Sequence, residues 1–143
     1  MIRRLGALAV AGLVLSACGS LSAAKATANW VHESDYAKNN ATLVHDVQRA
    51  AAALADHSST DNQLHTVCGV LYTDTEAANA SLPTPDAQST KLLSRAYTEI
   101  GDGGNECYDA ATSASQRAKA LASLAAGLAS LSEAAARLAT AAA

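Results

Sequence analysis

The sequence predicts an all-α protein, an up-down-up-down four-helix bundle with one disulfide that follows a cleaved signal peptide. Apolar residues recur at helical spacing along most of the chain, which is the pattern of helices that bury one face. No stretch alternates apolar and polar residues with β-branched side chains, as a half-buried strand would. We therefore place one bundle domain at residues 25–143, with helices over about 25–57, 60–80, 85–111 and 114–141.

The first predicted helix covers about residues 25–57. Apolar residues repeat there every seven positions, at Trp30, Ala37, Val44 and Ala51, and Val47 and Leu54 follow at the three-residue offset. This spacing marks one face of a helix. His57 and the two serines that follow it interrupt the pattern and end the helix.

The second predicted helix covers about residues 60–80. Thr60 and Gln63 at its start form a capping-box pattern, in which each side chain satisfies the other residue's backbone N–H. The side chains expected to face the core are Leu64, Cys68, Leu71, Thr75 and Ala78.

The third predicted helix covers about residues 85–111 and has a strong start signal. Thr84 is expected as the N-cap, Pro85 as the first helical residue, and Asp86 as an acidic residue of the first turn.

The glycine-rich segment 101–104 disfavours a continuous helix, since each helical glycine costs about 1 kcal/mol relative to alanine. Leu93, Ile100 and Cys107 are nevertheless spaced by seven residues, so the apolar register continues through the glycines. We favour one helix that is weakened or kinked at 101–104, and a true break there stays the alternative.

The fourth predicted helix covers about residues 114–141 and has the most regular stripe. Ser113 and Gln116 form another capping-box pattern at its start. Its apolar positions alternate steps of three and four: Leu121, Leu124, Leu128, Leu131, Ala135 and Leu138.

Residues 1–17 have the build of a secretory signal peptide, with Arg3 and Arg4 before an apolar run at 5–15. This run is too short to cross a hydrocarbon core, which takes about 20 residues. We expect cleavage before Cys18 and a short tether over 18–24.

The segment Leu15-Ser16-Ala17-Cys18 resembles the lipobox of bacterial lipoproteins. The resemblance implies that Cys18 receives a diacylglycerol, so that palmitate-type acyl chains hold the protein on the outer side of the cell membrane. Two acyl chains are enough for stable anchoring, whereas one is marginal. A secreted protein in which Cys18 carries no lipid is the alternative.

The mature chain is expected to be mildly acidic. Removal of residues 1–17 takes away two of the ten basic residues and leaves eight against 13 acidic ones, a formal net charge of −5. This balance argues against a nucleic-acid partner. The expected partners are the membrane, through the lipid, and an envelope protein; the sequence does not determine the oligomeric state.

Cys68 and Cys107 both lie on apolar stripes, and in an oxidising compartment they are expected to form a disulfide. Their Cα atoms must come within about 7 Å, yet straight helices joined by a tight turn would leave them at levels ~12 Å apart. Either an extended path at 80–84 or a break at 101–104 must close the gap. A redox pair usually has closer cysteines, so we expect a structural cystine.

The sequence contains no recognisable catalytic set, metal motif or phosphate-binding glycine loop, so we expect neither enzymatic activity nor a cofactor. His57, Asp61 and His65 are spaced by four, but the break at 58–59 separates His57 from the others, and we predict no metal site.

The aromatic side chains of the predicted bundle are Trp30, Tyr36, Tyr72, Tyr97 and Tyr108. They either cap a thin core with their hydroxyls at its rim or line a cleft for a ligand. If a ligand binds, we place it at the end of the bundle that carries Trp30, His32 and Tyr36.

The stretch from Cys68 to Cys107, with Leu82-Pro83-Thr84-Pro85-Asp86 between, resembles a group of small uncharacterised actinobacterial lipoproteins that are alanine-rich and helical. The resemblance implies a disulfide-closed helical hairpin and a third helix that continues through 101–104, and it implies no activity.

We thus expect a membrane-anchored extracytoplasmic lipoprotein that acts as a non-enzymatic interaction or scaffold module of the cell envelope. The alternative is a lipoprotein that binds a small ligand, a metal or haem for uptake or sensing.

Overall fold

The computed structural model describes residues 22–110 and 113–143, and every regular element in these ranges is an α-helix. The helices are α1 (Ala23–Glu33), α2 (Tyr36–Ala55), α3 (Asp61–Asn79), α4 (Ala87–Asp109) and α5 (Ala114–Ala142). The all-α prediction is confirmed. The signal peptide, the lipobox with Cys18 and tether residues 18–21 lie outside the described residues, and α1 begins inside the stretch predicted as tether.

The single helix predicted over 25–57 is in fact two helices, because the chain turns at Ser34 and Asp35. The Ser34 side chain donates to the Trp30 carbonyl at 2.7 Å, which ends α1. Asp35 then adopts a left-handed conformation with φ of 49°, which aspartate tolerates better than most residues. Asn39 donates its side-chain amide back to the Ser34 carbonyl at 2.8 Å and holds the turn.

The stripe predicted for α2 is correct in part, since Val47 and Leu54 are buried as expected. Ala37, which was expected to face the core, is exposed, and Val44 and Ala51 are only half-buried. Leu43 and Ala50, one position earlier in the sequence, are buried instead.

α3 and α4 form a hairpin whose connection differs from the predicted one. The capping box of Thr60 and Gln63 is present as expected. The N-cap of α4, however, is Asp86, whose carboxylate accepts the Ser89 N–H at 2.8 Å. Thr84 was the predicted cap; its hydroxyl instead donates to the Asp86 carbonyl at 2.7 Å. Pro85 therefore belongs to the loop and α4 begins at Ala87.

α4 is continuous through the glycines at 101–104, as the unbroken apolar register predicted. Leu93, Ile100 and Cys107 are all fully buried. The remaining core consists largely of aliphatic side chains from α2, α3 and α5: Leu43, Val47, Leu54, Leu64, Leu71, Leu124, Leu131 and Leu138.

α4 and α5 run antiparallel and approach closely at two glycines. A Cβ at Gly103 would lie 2.7 Å from a methyl carbon of Leu124, and a Cβ at Gly127 would lie 2.5 Å from Ile100 Cγ1. Both distances are much shorter than a normal van der Waals contact between carbon atoms, so only glycine permits this helix separation.

Two arginines fix the ends of α5. Arg117 is 4% exposed, and its guanidinium donates to the carbonyls of Leu54, Asp56 and Ser59 at 3.3, 2.9 and 3.0 Å. These carbonyls lie at and beyond the C-terminal end of α2, where the helix dipole favours a cation. At the other end, Arg137 binds both carboxylate oxygens of Asp86, at 2.8 and 3.0 Å.

Candidate functional site: a tyrosine-lined hollow at the disulfide

Trp30 and Tyr36, two of the three residues predicted for a ligand site, pack against each other. Their ring centroids are 5.9 Å apart at an interplanar angle of 42°. The Trp30 indole N–H donates to the Ser81 carbonyl at 3.2 Å, which fastens α1 to the loop after α3. Trp30 thus has a clear structural role.

His32, the third of these residues, is exposed on another surface. It lines a shallow groove with Ala28, Val31, Asp35, Ala37 and Lys38. Neither Trp30 nor Tyr36 contributes to this groove, so the three residues do not converge on one pocket.

The Tyr36 hydroxyl is buried without a hydrogen-bond partner within the described parts of the chain. Burial raises its pKa above the usual value. The pKa of Tyr97 is raised further, first by burial and then by the nearby Tyr36. Both phenols are therefore neutral at physiological pH, and Tyr97, at 5% exposure, belongs to the core.

No three metal-ligating side chains come together within residues 22–110 and 113–143. His32, His45 and His57 are exposed, and His65 is half-buried. His65 stacks on the Tyr108 ring with a centroid distance of 4.1 Å and an interplanar angle of 12°. His65 and Tyr108 come from different helices, so the stack adds to the α3–α4 contact.

The Cys68–Cys107 disulfide joins α3 to α4, as predicted, with a Cα–Cα distance of 5.7 Å. The break considered at 101–104 is absent, because α4 is continuous there. The extended path expected at 80–84 is wrong for its first part. α3 ends at Asn79, and the backbone N–H groups of residues 80–82 donate to the carbonyls of Glu76, Ala78 and Asn79, so the chain leaves the helix in turns.

A hollow lies over this disulfide, and we call it the tyrosine hollow. It has a volume of about 200 Å³ and is lined by Cys68, Gly69, Tyr72, Gly104, Asn105 and Tyr108. Tyr72 and Tyr108 are 40% and 45% exposed, and together with Val70 they are the large apolar residues that stand out from the described surface. All three lie on the α3–α4 hairpin.

Gly69 keeps the floor of the tyrosine hollow open. A Cβ at this position would meet no atom of the described residues within 4 Å, whereas glycine inside a helix costs about 1 kcal/mol relative to alanine. Packing inside the chain therefore does not account for this glycine. At Gly104 a Cβ would make only ordinary contacts, at 3.7 Å from the Tyr72 nitrogen and 3.8 Å from the Cys68 carbonyl.

The lining of the tyrosine hollow is uncharged. It offers two phenol groups, the Asn105 amide and a cysteine that is already oxidised. A lining of this kind suits binding through ring faces and neutral hydrogen bonds. It does not provide the carboxylate, imidazole or thiolate that acid–base or nucleophilic catalysis uses.

A pair of carboxyl groups between α2 and α3 is the other polar feature that sequence reasoning missed. Asp46 is buried, and the Asp74 carboxyl lies beside it. Arg49 and His45 have nitrogens 3.5 and 3.4 Å from an Asp46 oxygen. Burial and the Asp46 carboxyl raise the pKa of Asp74.

None of the helices in the described part of the chain is long and apolar enough to cross a membrane. Comparison with protein-family models, curated proteins and solved structures finds no match to this chain. Sequence motifs and site geometry therefore provide the basis for a functional proposal.

Proposed function

We propose that this protein is a lipid-anchored lipoprotein of the cell envelope that acts as a non-enzymatic binding module. In this proposal residues 1–17 are removed, Cys18 carries the lipid, and α2–α5 act as an up-down-up-down four-helix bundle with α1 as an additional helix. The α3–α4 hairpin holds an envelope component at the tyrosine hollow.

The tyrosine hollow is the observation that carries this proposal. Tyrosine is enriched at binding surfaces because it combines a large apolar face with a polar tip and few rotatable bonds. Here two exposed tyrosines flank an open glycine floor, and a disulfide fixes the two helices that carry them. A rigid site loses little conformational entropy on binding.

The proposed location rests on the lipobox resemblance and agrees with the disulfide. Disulfides persist in oxidising, extracytoplasmic compartments and are rare in the cytosol. The Cys68–Cys107 disulfide is fully buried, which suits a permanent structural role rather than reversible exchange.

The anchor is tested by the intact mass of protein extracted from the membranes of a bacterial host. We expect a mature chain that begins at Cys18 and carries a diacylglyceryl group. A Cys18→Ser variant is the control and should lack both the lipid mass and the membrane retention. An unmodified Cys18 in the wild-type protein would contradict the anchor.

The binding surface is tested with a photoreactive amino acid at position 72, compared with the same group at Ala129 on α5. Both residues are exposed. We expect one defined envelope adduct from position 72 and none from position 129. Equal labelling from the two positions would contradict a binding role for the hollow.

A further inference from the structure

The tyrosine hollow has a size that restricts what it can hold. Pockets for drug-sized ligands have volumes of about 300–1,000 Å³, whereas the hollow has about 200 Å³. A single six-membered ring with its substituents fits this space, and a larger compact ligand does not.

The lining restricts the charge of the ligand. Among residues 22–110 and 113–143, no charged side chain lines the hollow, and the chain as a whole is acidic, with a formal net charge of −3. An anionic ligand would find no counter-charge in the hollow and a repulsive field around it. A neutral ligand has neither disadvantage.

The polar groups that line the hollow further restrict the chemical class of the ligand. Asn105 supplies an amide that both donates and accepts, and the hydroxyls of Tyr72 and Tyr108 do the same. Between them lie aromatic rings, one of which His65 holds in place by stacking at 4.1 Å. A ligand that uses both features has an apolar face and a rim of hydroxyl groups, and a pyranose ring has this form.

We infer that the tyrosine hollow binds one neutral sugar unit of an envelope glycan. This inference rests on the proposed function and names the ligand class of the same site. Gly69 has a purpose in this arrangement, because it lets the sugar ring approach the backbone of α3 between the two tyrosines.

A protein partner fits the surface less well. A specific protein interface buries about 1,200 Å² or more of total surface and has an apolar centre. On the described surface the large exposed apolar residues are Val70, Tyr72 and Tyr108, and the space between the tyrosines holds only one ring.

The inference is tested by titrating the full mature chain, in detergent micelles, with two neutral tetrasaccharides, one of glucose and one of N-acetylglucosamine. We expect one of them to bind weakly, with a Kd of about 1 mM, because a single ring makes few contacts. The ring resonances of Tyr72 and Tyr108 and the side-chain amide of Asn105 should shift. Those of the buried Tyr97 should not.

Two glycine variants form a matched pair. Gly69→Ala and Gly101→Ala each place a methyl group inside a helix without a clash, since the nearest atom to a Cβ at 101 is 3.7 Å away. Both variants should raise the Tm by about 2–6 °C. Only Gly69→Ala fills the hollow, and it should weaken sugar binding about tenfold.

Tyr108→Ala provides a second variant and should also weaken binding about tenfold, because it removes a stacking face. If no tetrasaccharide shifts the tyrosine resonances while position 72 still crosslinks to an envelope protein, the sugar inference fails and the proposed function stands. Concentration-dependent self-association through this face would also overturn it. Loss of both sugar binding and crosslinking would contradict both proposals.

Discussion

α4 packs mainly against two helices, α3 and α5, and it is held to them in different ways. Toward α5, the helices approach until Gly103 and Gly127 leave no room for a Cβ, and the Asp86–Arg137 ion pair closes one end. Toward α3, the Cys68–Cys107 disulfide adds a covalent link to side-chain contacts such as the His65–Tyr108 stack, and the tyrosine hollow remains open beside it.

The difference shows how a small bundle provides both stability and an accessible surface. Close packing between α4 and α5 uses the full length of two helices and leaves no free surface between them. A covalent link between α3 and α4 maintains their separation at one point, so that aromatic side chains nearby can stay exposed. The same residue type, glycine, therefore serves close contact on one side of α4 and open space on the other.

The largest expected effect comes from removing the disulfide. Replacement of both Cys68 and Cys107 by alanine should lower the free energy of unfolding by about 4 kcal/mol, since the bond closes a long loop in the unfolded chain. Urea unfolding of the two proteins measures the difference. A loss below about 1 kcal/mol would mean that noncovalent contacts between α3 and α4 suffice, as they do between α4 and α5.

Arg117→Met on α5 is expected to cost about 3 kcal/mol, because it leaves buried carbonyls at the end of α2 without their charged donor. Arg95→Met is the matched control. Arg95 is half-exposed and pairs with Glu133 at the surface, where an ion pair contributes at most about 1 kcal/mol. Equal effects of the two variants in thermal unfolding would contradict the role assigned to Arg117.

Gly127→Ala tests the close approach of α4 and α5 directly. The added methyl would lie 3.0 Å from the Ile100 nitrogen as well as against its side chain, so the backbone of α4 must move. We expect a loss of about 2 kcal/mol. Gly101→Ala is the control and should instead stabilise the protein by about 0.5–1 kcal/mol. The opposite signs, measured by urea unfolding, are the expected result.

The sequence predicted most of the helices because their signals are local. The cap residues Thr60 and Ser113 mark helix starts in the structure as they do in the sequence. The seven-residue spacing that ends at Cys107 correctly indicated a helix through the glycines. The break at Ser34 and Asp35 was missed, because it contains neither glycine nor proline and the apolar repeat continues across it.

Features that form where two helices pack together could not be predicted from the apolar pattern of a single helix. Arginine is a residue type that usually lies at the surface. The burial of Arg117 follows only from the position of the C-terminal end of α2. Gly69 and Gly104 are 35 residues apart, so the hollow between them becomes visible only when α3 and α4 are paired. Tyr72 and Tyr108 were recognised as candidates, but nothing in the sequence favoured them over Trp30.

Two carboxylates respond to pH in opposite directions. Hydrogen bonds from Arg137 and Ser89 hold the pKa of Asp86 well below its usual range. The Asp86 carboxylate therefore stabilises the folded protein above pH 3.8, the ordinary pKa of an aspartate. This stabilisation is lost as the pH falls below 3.8. The pKa of Asp74 is raised, so its contribution is present below 3.8 and is lost as the pH rises above it.

The smallest expected effect is that of Asp74→Asn, which keeps a neutral donor opposite the Asp46 carboxylate. In the wild-type protein, loss of the Asp74 proton places its negative charge beside Asp46 between α2 and α3, and the asparagine avoids this repulsion. At about pH 7 the variant should melt slightly higher than the wild type, and at about pH 3 the two should melt at nearly the same temperature. Asp86→Asn should have the reverse profile, a loss at neutral pH that shrinks as the pH falls below 3.8, because the unfolded wild-type chain then takes up a proton that the folded Asp86 does not. If Asp74→Asn lowers the Tm at neutral pH, the carboxyl pair stabilises the α2–α3 contact as an ion cluster with Arg49. That contact would then resemble the ion-paired α4–α5 side rather than the α3–α4 hairpin.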